Sequence, residues 1–310
     1  MGTTFMKKLL AATIVVQSLF LTAAYASEGN ISRLMNSKTL NAAISASVDI
    51  QIIDIRHEKY VKKGTIPGAV AVTYKKWRGP ADRPGQPPSE AALEAILGEN
   101  GIDINKPIVI FNQTGKTMQT GQAAYVYWLL KTAGAQQAAI LNGGFKAWNA
   151  ADWPVALTPM TNEPITVDVT YSFEWWAEPM DIFGVATGQL PGAILDARLD
   201  SQVKRSVKTG KPMKSMPLAR FIPTSLVVEN LTPKRLTTSA MDEFRSALEG
   251  RGINLDGEML ISICQTGELS ALSWFYASEI VGIDNVQYYP DALQGWVADG
   301  GLLFGLSNDN

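Results

Sequence analysis

One cysteine and one histidine are all that the 310 residues carry. A single cysteine leaves no internal disulfide, and with a single histidine it leaves no His/Cys-based metal cluster; no metal and no cofactor is expected. Charge of either sign is sparse and nearly balanced, 27 Lys and Arg against 29 Asp and Glu. A mildly acidic chain without a basic patch is a poor partner for nucleic acid, and that class is set aside. What is present is ordinary globular material, 46% hydrophobic and 18% charged, which excludes disorder, collagen and coiled coil as descriptions of the whole chain. The length exceeds what one hydrophobic core usually serves, so two domains are expected.

The N-terminus reads as a targeting segment. Lys7 and Lys8 precede the apolar run Leu9 to Ala24, and Ala24-Tyr25-Ala26 supplies the small-x-small close. Cleavage is expected after Ala26, giving a periplasmic or secreted protein with no membrane attachment; Gln17 and Ser18 interrupt a run already short for a span. Removal of residues 1–26 takes away Lys7 and Lys8 and no acid, so the formal net charge of -2 becomes -4. A lone cysteine in an oxidising compartment is either buried and inert or kept for its reactivity.

That cysteine lies in Leu260-Ile261-Ser262-Ile263-Cys264-Gln265-Thr266-Gly267-Glu268-Leu269-Ser270. An apolar, strand-like run delivers Cys264 into a short Gly-containing loop, and a helical pattern follows over Ala271 to Val281. Gln265, Thr266, Gly267, Glu268, Leu269 and Ser270 form the candidate cradle for a sulfur anion. None of them is a cation, so backbone N–H groups and the helix N-terminus are expected to lower the thiol pKa towards ambient pH.

Strands and helices alternate along the rest. Ile50 to Arg56, Pro107 to Phe111 and Ala138 to Leu141 read as strands, Glu90 to Leu97 as a helix capped by Ser89, Asn112 to Gly121 as a loop and Gln122 to Lys131 as a helix. Short apolar strands spaced by helices predict a parallel α/β sheet. The pattern then repeats. Asp196-Ala197-Arg198 echoes Asp54-Ile55-Arg56, Phe221-Ile222-Pro223 echoes Thr65-Ile66-Pro67, the Cys264 strand and loop echo Ile108 to Gly115, and Trp296 answers Trp148. Two copies in the same order make a tandem duplication, with 1–26 as signal peptide, 27–157 as the first domain and 166–310 as the second. The second copy carries an insertion near Ser201 to Arg220, and the first a longer loop after Asn112.

The ordered set resembles tandem-domain rhodaneses, the thiosulfate and 3-mercaptopyruvate sulfurtransferases. It is carried by Asp54-Ile55-Arg56, Gly64-Thr65-Ile66-Pro67-Gly68-Ala69 and Leu141-Asn142-Gly143-Gly144-Phe145-Lys146-Ala147-Trp148, then by Asp196-Ala197-Arg198 and the Cys264 loop. The resemblance implies an α/β fold of two rhodanese-like domains, each a small, mainly parallel central sheet flanked by helices. It implies an inactive N-terminal copy, where Asn112 stands at the cysteine position, and an active C-terminal one. By the same resemblance Cys264 would take a sulfane sulfur from a small donor such as thiosulfate or 3-mercaptopyruvate, become a persulfide, and pass the sulfur to a thiol or cyanide, or to a protein acceptor. A non-enzymatic exported relay or binding module of the same fold is the alternative, and turnover separates the two.

Phosphatases of this fold end an enlarged cysteine loop in Arg, since a phosphoryl group needs a guanidinium clamp. Six positions after Cys264 stands Ser270, so phosphatase is excluded. Asp54, Arg56, Asp196 and Arg198, at the ends of buried strands, are expected to form internal ion pairs rather than catalytic groups. Lys204 and Arg205, in the insertion, are either a solvated loop or a rim that attracts the anionic donor. Glu268 would repel dianionic thiosulfate if it faced the sulfur; as an acid in the first helical turn it would instead complement the helix dipole.

Overall fold

The computed structural model describes residues 31–80, 83, 85–210, 213–229 and 232–306; the expected cleavage point after Ala26 lies outside them. The first half runs β1 (Leu34–Met35), α1 (Ser37–Ser45), β2 (Gln51–Asp54), the short α2 (Glu58–Val61), β3 (Ala69–Ala71), α3 (Glu90–Glu99), β4 (Ile108–Phe111), α4 (Thr117–Thr132), β5 (Ala138–Leu141) and α5 (Gly144–Ala150). The second runs α6 (Pro179–Ala186), β6 (Gly192–Asp196), α7 (Asp200–Thr209), β7 (Lys214–Ser215), β8 (Arg220–Phe221), α8 (Met241–Glu249), β9 (Met259–Ile263), α9 (Glu268–Trp274), β10 (Val286–Tyr288), α10 (Ala292–Ala298) and β11 (Phe304–Gly305).

Two sheets result, ordered β1-β5-β4-β2-β3 and β10-β9-β6-β8, with every pairing parallel. A separate antiparallel ribbon joins β7 to β11. Strands such as Ile108–Phe111 are buried at every position, which is why they read as unbroken apolar runs: helices cover both faces of a parallel sheet. The neighbour relations β5-β4-β2-β3 recur as β10-β9-β6-β8. Among the described residues no helix is long and apolar enough to cross a membrane, and no group of His, Cys, Asp or Glu is placed to hold a metal ion.

Two helices begin earlier than the pattern predicts. Helix α4 starts at Thr117 rather than Gln122, because the Gln119 carboxamide oxygen accepts the N–H groups of Gly115 and Lys116 at 2.8 and 3.2 Å and caps the turn. Gly121, which reads as a loop residue, lies inside that helix; a Cβ there would collide with the Glu268 carbonyl, so the missing side chain lets α4 lie directly on α9. Tertiary packing overrides the low helix propensity of glycine here. Helix α9 starts at Glu268 rather than Ala271 and passes into a π-helical turn over Phe275–Ile280.

The α4 and α9 faces meet in one apolar core that includes residues of both halves, among them Tyr125, Trp128, Trp274, Phe275 and Tyr288. The Trp128 ring stands edge-on to Tyr288 at 4.8 Å between centroids, and Tyr127 edge-on to Phe275 at 4.7 Å. Such pairs contribute about 0.5–1.5 kcal/mol each beyond the area they bury.

Candidate active site

Strand β9 is hydrogen-bonded on one side to β6 and on the other to β10, and its last residue hands the chain to Cys264. Gly267 takes φ +105°, a conformation that favours glycine, and turns the loop straight into α9. The curl encloses the sulfur: the Gly267 N–H donates to Sγ at 3.2 Å and the Ser270 hydroxyl approaches it at 3.3 Å. Ser270 Oγ also lies 2.9 Å from the Gly267 carbonyl, so its one hydrogen is shared between two acceptors. Helix α10 fixes the loop from outside, with Leu293 N–H on the Cys264 carbonyl at 2.9 Å and Gln294 N–H on that of Gln265 at 3.3 Å.

Cys264 is only 1% exposed. Burial pushes its thiol up; the Ser270 hydroxyl pulls it down, the Glu268 charge pushes it up again, and backbone N–H groups of the loop pull it down. The net direction is upward, which corrects the sequence expectation of a lowered pKa. Two donors around the sulfur do not outweigh removal of the thiolate from water.

Of the six predicted cradle residues, Gly267 and Ser270 touch the sulfur. Gln265 is exposed and Leu269 is buried in apolar packing. Thr266 and Glu268 form a second network. The Thr266 hydroxyl donates to Glu268 Oε2 at 2.6 Å, and the Tyr74 hydroxyl donates to Oε1 at 3.3 Å. Arg78 stands 3.9 Å from the same carboxylate and donates Nη2 to the Thr266 carbonyl at 2.7 Å and Nη1 to the Tyr74 hydroxyl at 2.9 Å.

The Arg78 guanidinium lies over the Tyr125 ring at 4.7 Å. Its own burial works against the charge, yet Tyr74, Tyr125, Tyr288 and Glu268 outweigh that and push its pKa up. Opposite charges about 4 Å apart attract by roughly 4 kcal/mol at an effective dielectric near 20, whereas a carboxylate about 7 Å from a monoanion costs about 2.4. Arg78 thus holds the Glu268 carboxylate in place, while that charge still pushes the Cys264 thiol up.

Residues 37–151 match the family model of the Rhodanese-like domain. The chain is 27% identical over 263 residues to the thiosulfate sulfurtransferase of Azotobacter vinelandii, covering 83% of this chain and 91% of that one. Its structure superposes on SseA, a 3-mercaptopyruvate sulfotransferase of Escherichia coli, with a TM-score of 0.69 at 20% identity, over 84% of this chain and 99% of that one. The chain has the rhodanese fold. Another enzyme of similar structure is the anaerobic ergothioneine biosynthesis enzyme from Chlorobium limicola, with a TM-score of 0.74 at 17% identity, over 89% of this chain and 70% of that one.

Within this rhodanese fold the two Asp-x-Arg motifs are built alike. Arg198 donates Nε and Nη2 to Asp196 at 2.9 and 2.5 Å, and Nη2 also reaches the Lys214 carbonyl at 2.8 Å, while the Ser215 hydroxyl donates to Asp196 at 2.6 Å. In the first half Arg56 donates to Asp54 at 2.9 and 2.6 Å and to the Gly64 carbonyl at 2.6 Å, with the Thr65 hydroxyl on Asp54 at 2.7 Å. Each pair ties its strand to the loop after it. Lys204 and Arg205 lie on α7, and their side chains fall outside the described residues.

The first-half loop that corresponds to Cys264 holds no vacant cradle. The Asn112 side-chain oxygen Oδ1 accepts the Gln113 N–H at 2.7 Å, its Nδ2 donates to Gln122 Oε1 at 2.8 Å, and Gln119 Oε1 accepts the N–H groups of Gly115 and Lys116.

Arg78 and Tyr74 are the site residues that sequence reasoning missed. The available signal was modest: a charged residue inside Trp77-Arg78-Gly79, at the mouth of a Pro/Gly-rich loop.

Gly267→Ala should destabilise the protein by about 1–3 kcal/mol, the usual cost of holding a non-glycine residue in a sparsely populated backbone conformation. The new Cβ would also stand 2.5 Å from the Tyr288 hydroxyl. A urea-unfolding midpoint unchanged from wild type would overturn that expectation.

Proposed function

We propose that the protein is a sulfurtransferase that carries a sulfane sulfur as a persulfide on Cys264, with the two sheets as two copies of one rhodanese module, exported after cleavage at Ala26. The observation that carries this reading is the enclosure of Sγ by the Gly267 N–H and the Ser270 hydroxyl at the end of a buried parallel strand. The sulfurtransferase relative at modest identity supports it.

With thiosulfate as donor, the Cys264 thiolate attacks the outer sulfur. A new S–S bond forms, the S–S bond of thiosulfate breaks, and sulfite leaves with the bonding pair, so the negative charge of the thiolate passes to the outer sulfur of the persulfide. With 3-mercaptopyruvate, the C–S bond breaks instead and the thiol proton ends on the methyl group of pyruvate. Cyanide then attacks the outer sulfur, leaves as thiocyanate and returns the thiolate. Loop N–H groups hold the sulfur in line, and no side-chain cation is needed within the loop.

Since the thiol is raised above its ordinary value, the attacking thiolate is a minor species at neutral pH, and loading should accelerate as pH rises through and beyond the ordinary thiol range. The same shift has a sign for stability. A thiol raised on folding favours the folded state below the unfolded thiol pKa, and that contribution is lost as pH climbs to the folded one.

Intact mass after incubation with each donor is the direct test. A gain of one sulfur atom on wild type, removed by cyanide with release of thiocyanate, is expected from at least one of the two. No gain from either sinks the carrier reading, and a gain without catalytic turnover assigns a relay instead.

A further inference from the structure

Tyr288, the last residue of β10, is fully buried, and its hydroxyl has no hydrogen-bond partner. A buried phenol in that state is unusual, because burying an O–H without an acceptor is costly and most such groups find one. The side chain has little freedom to escape. Its ring is held edge-on by Trp128 at 4.8 Å and by Tyr125 at 6.4 Å, and its backbone N–H donates to the Trp175 carbonyl at 3.0 Å.

The hydroxyl overhangs the cysteine loop. A Cβ built on Gly267, the residue whose N–H binds Sγ, would lie 2.5 Å from it and 3.5 Å from Arg78 Nη1. The neighbours that act on it electrostatically are Arg78, Tyr125, Cys264 and Glu268. The other side-chain donors around the loop are engaged: Arg78 on Thr266 and Tyr74, Tyr74 and Thr266 on Glu268, Ser270 on Sγ and the Gly267 carbonyl. Burial drives the phenol pKa well up, so it is a standing donor across the pH range in which a persulfide would be handled.

Loading moves the charge. In a persulfide Sγ becomes neutral, and the anion sits on an outer sulfur about 2 Å further along a new S–S bond. The Gly267 N–H and Ser270 hydroxyl are placed for Sγ; beside the remaining backbone N–H groups of the loop, the outer sulfur can take one further, side-chain donor.

We infer that the Tyr288 hydroxyl is that donor, and that it hydrogen-bonds the outer sulfur of the Cys264 persulfide. This rests on the persulfide reading above. No bond is made or broken at Tyr288; the phenol keeps its proton, steadies the anionic sulfur between loading and discharge, and is without a partner only in the unloaded enzyme.

The test compares wild type with Tyr288→Phe, which keeps the ring and removes the oxygen. Each is loaded with the donor that loads wild type, freed of excess donor, and followed by intact mass without acceptor, and thermal melting is recorded for reduced and loaded forms. Reduced Tyr288→Phe should melt at or above wild type, since an unpartnered hydroxyl has been removed. Its persulfide should decay about tenfold faster or more, the usual effect of losing a hydrogen bond to a charged group, and the melting increment on loading should shrink. Tyr288→Met, which also lacks the donor, takes its place if the Phe variant does not fold. Equal persulfide lifetimes and equal increments overturn the role of Tyr288 alone. Absence of any sulfur on wild type overturns the carrier reading and this inference with it.

Discussion

Serine in place of Cys264 should reduce sulfur transfer from either donor by about a thousandfold or more, to the rate without enzyme, while the fold stays intact. The side chain is buried, and the Gly267 N–H and Ser270 hydroxyl that now face Sγ would face an oxygen able to accept from both. No buried polar group loses its partner, so the stability change should stay within about 1 kcal/mol. Chemistry is a different matter, since a hydroxyl at neutral pH is almost wholly protonated without an adjacent base and does not accumulate a sulfur adduct. Neither Gly267 nor Ser270 can act as such a base. The measurement is thiocyanate release from both donors beside a thermal melt. A Cys264→Ser protein that melts like wild type and still turns over would place the sulfur carrier somewhere other than Cys264.

Asp196→Ala should be the most destabilising of these substitutions, at about 3–5 kcal/mol, the typical cost of breaking one side of a buried ion pair. Asp196 is fully buried and accepts from the Arg198 side chain and from the Ser215 hydroxyl. Its removal leaves Arg198, only 6% exposed, with one carbonyl acceptor in place of a carboxylate. Folded domains are stable by about 5–15 kcal/mol in total, so such a loss is a large fraction of the whole. Urea unfolding followed by fluorescence would show it as a lowered midpoint. A shift worth less than about 1 kcal/mol, the size expected of a solvent-exposed pair, would overturn that expectation. The loss of activity expected with it is indirect, since Asp196 and the β9 strand that carries Cys264 belong to one sheet.

How much of this was legible in the chain follows from the range of the interactions. Ile108–Phe111 and Ala138–Leu141 could be read as strands almost to the residue, because a strand buried on both faces leaves an unbroken apolar run. The Asp-x-Arg pairs are legible for a different reason, since the two partners stand only two residues apart where a strand ends. The start of α4 was not, since it depends on the Gln119 side chain reaching back and on Gly121 lying against Glu268. The burial of Cys264 was hidden by its polar neighbours Gln265 and Thr266, and with it the direction of the thiol shift. Arg78 was out of reach: its partners Thr266 and Glu268 lie 188 and 190 positions further along the chain, and no local pattern records a contact of that span.

The reach of Arg78 and Tyr74 across the molecule bears on whether the cysteine-bearing half is separable. A fragment that starts at residue 166 would contain β6, β8, β9, β10 and the thiol. It would lose the hydroxyl and guanidinium that hold Glu268 and the Thr266 carbonyl, and it would expose the face of α9 now covered by α4. Here the cysteine-free half acts as a scaffold for the other's loop, so co-expression of the two fragments, rather than either alone, is the arrangement from which a working site could be reassembled.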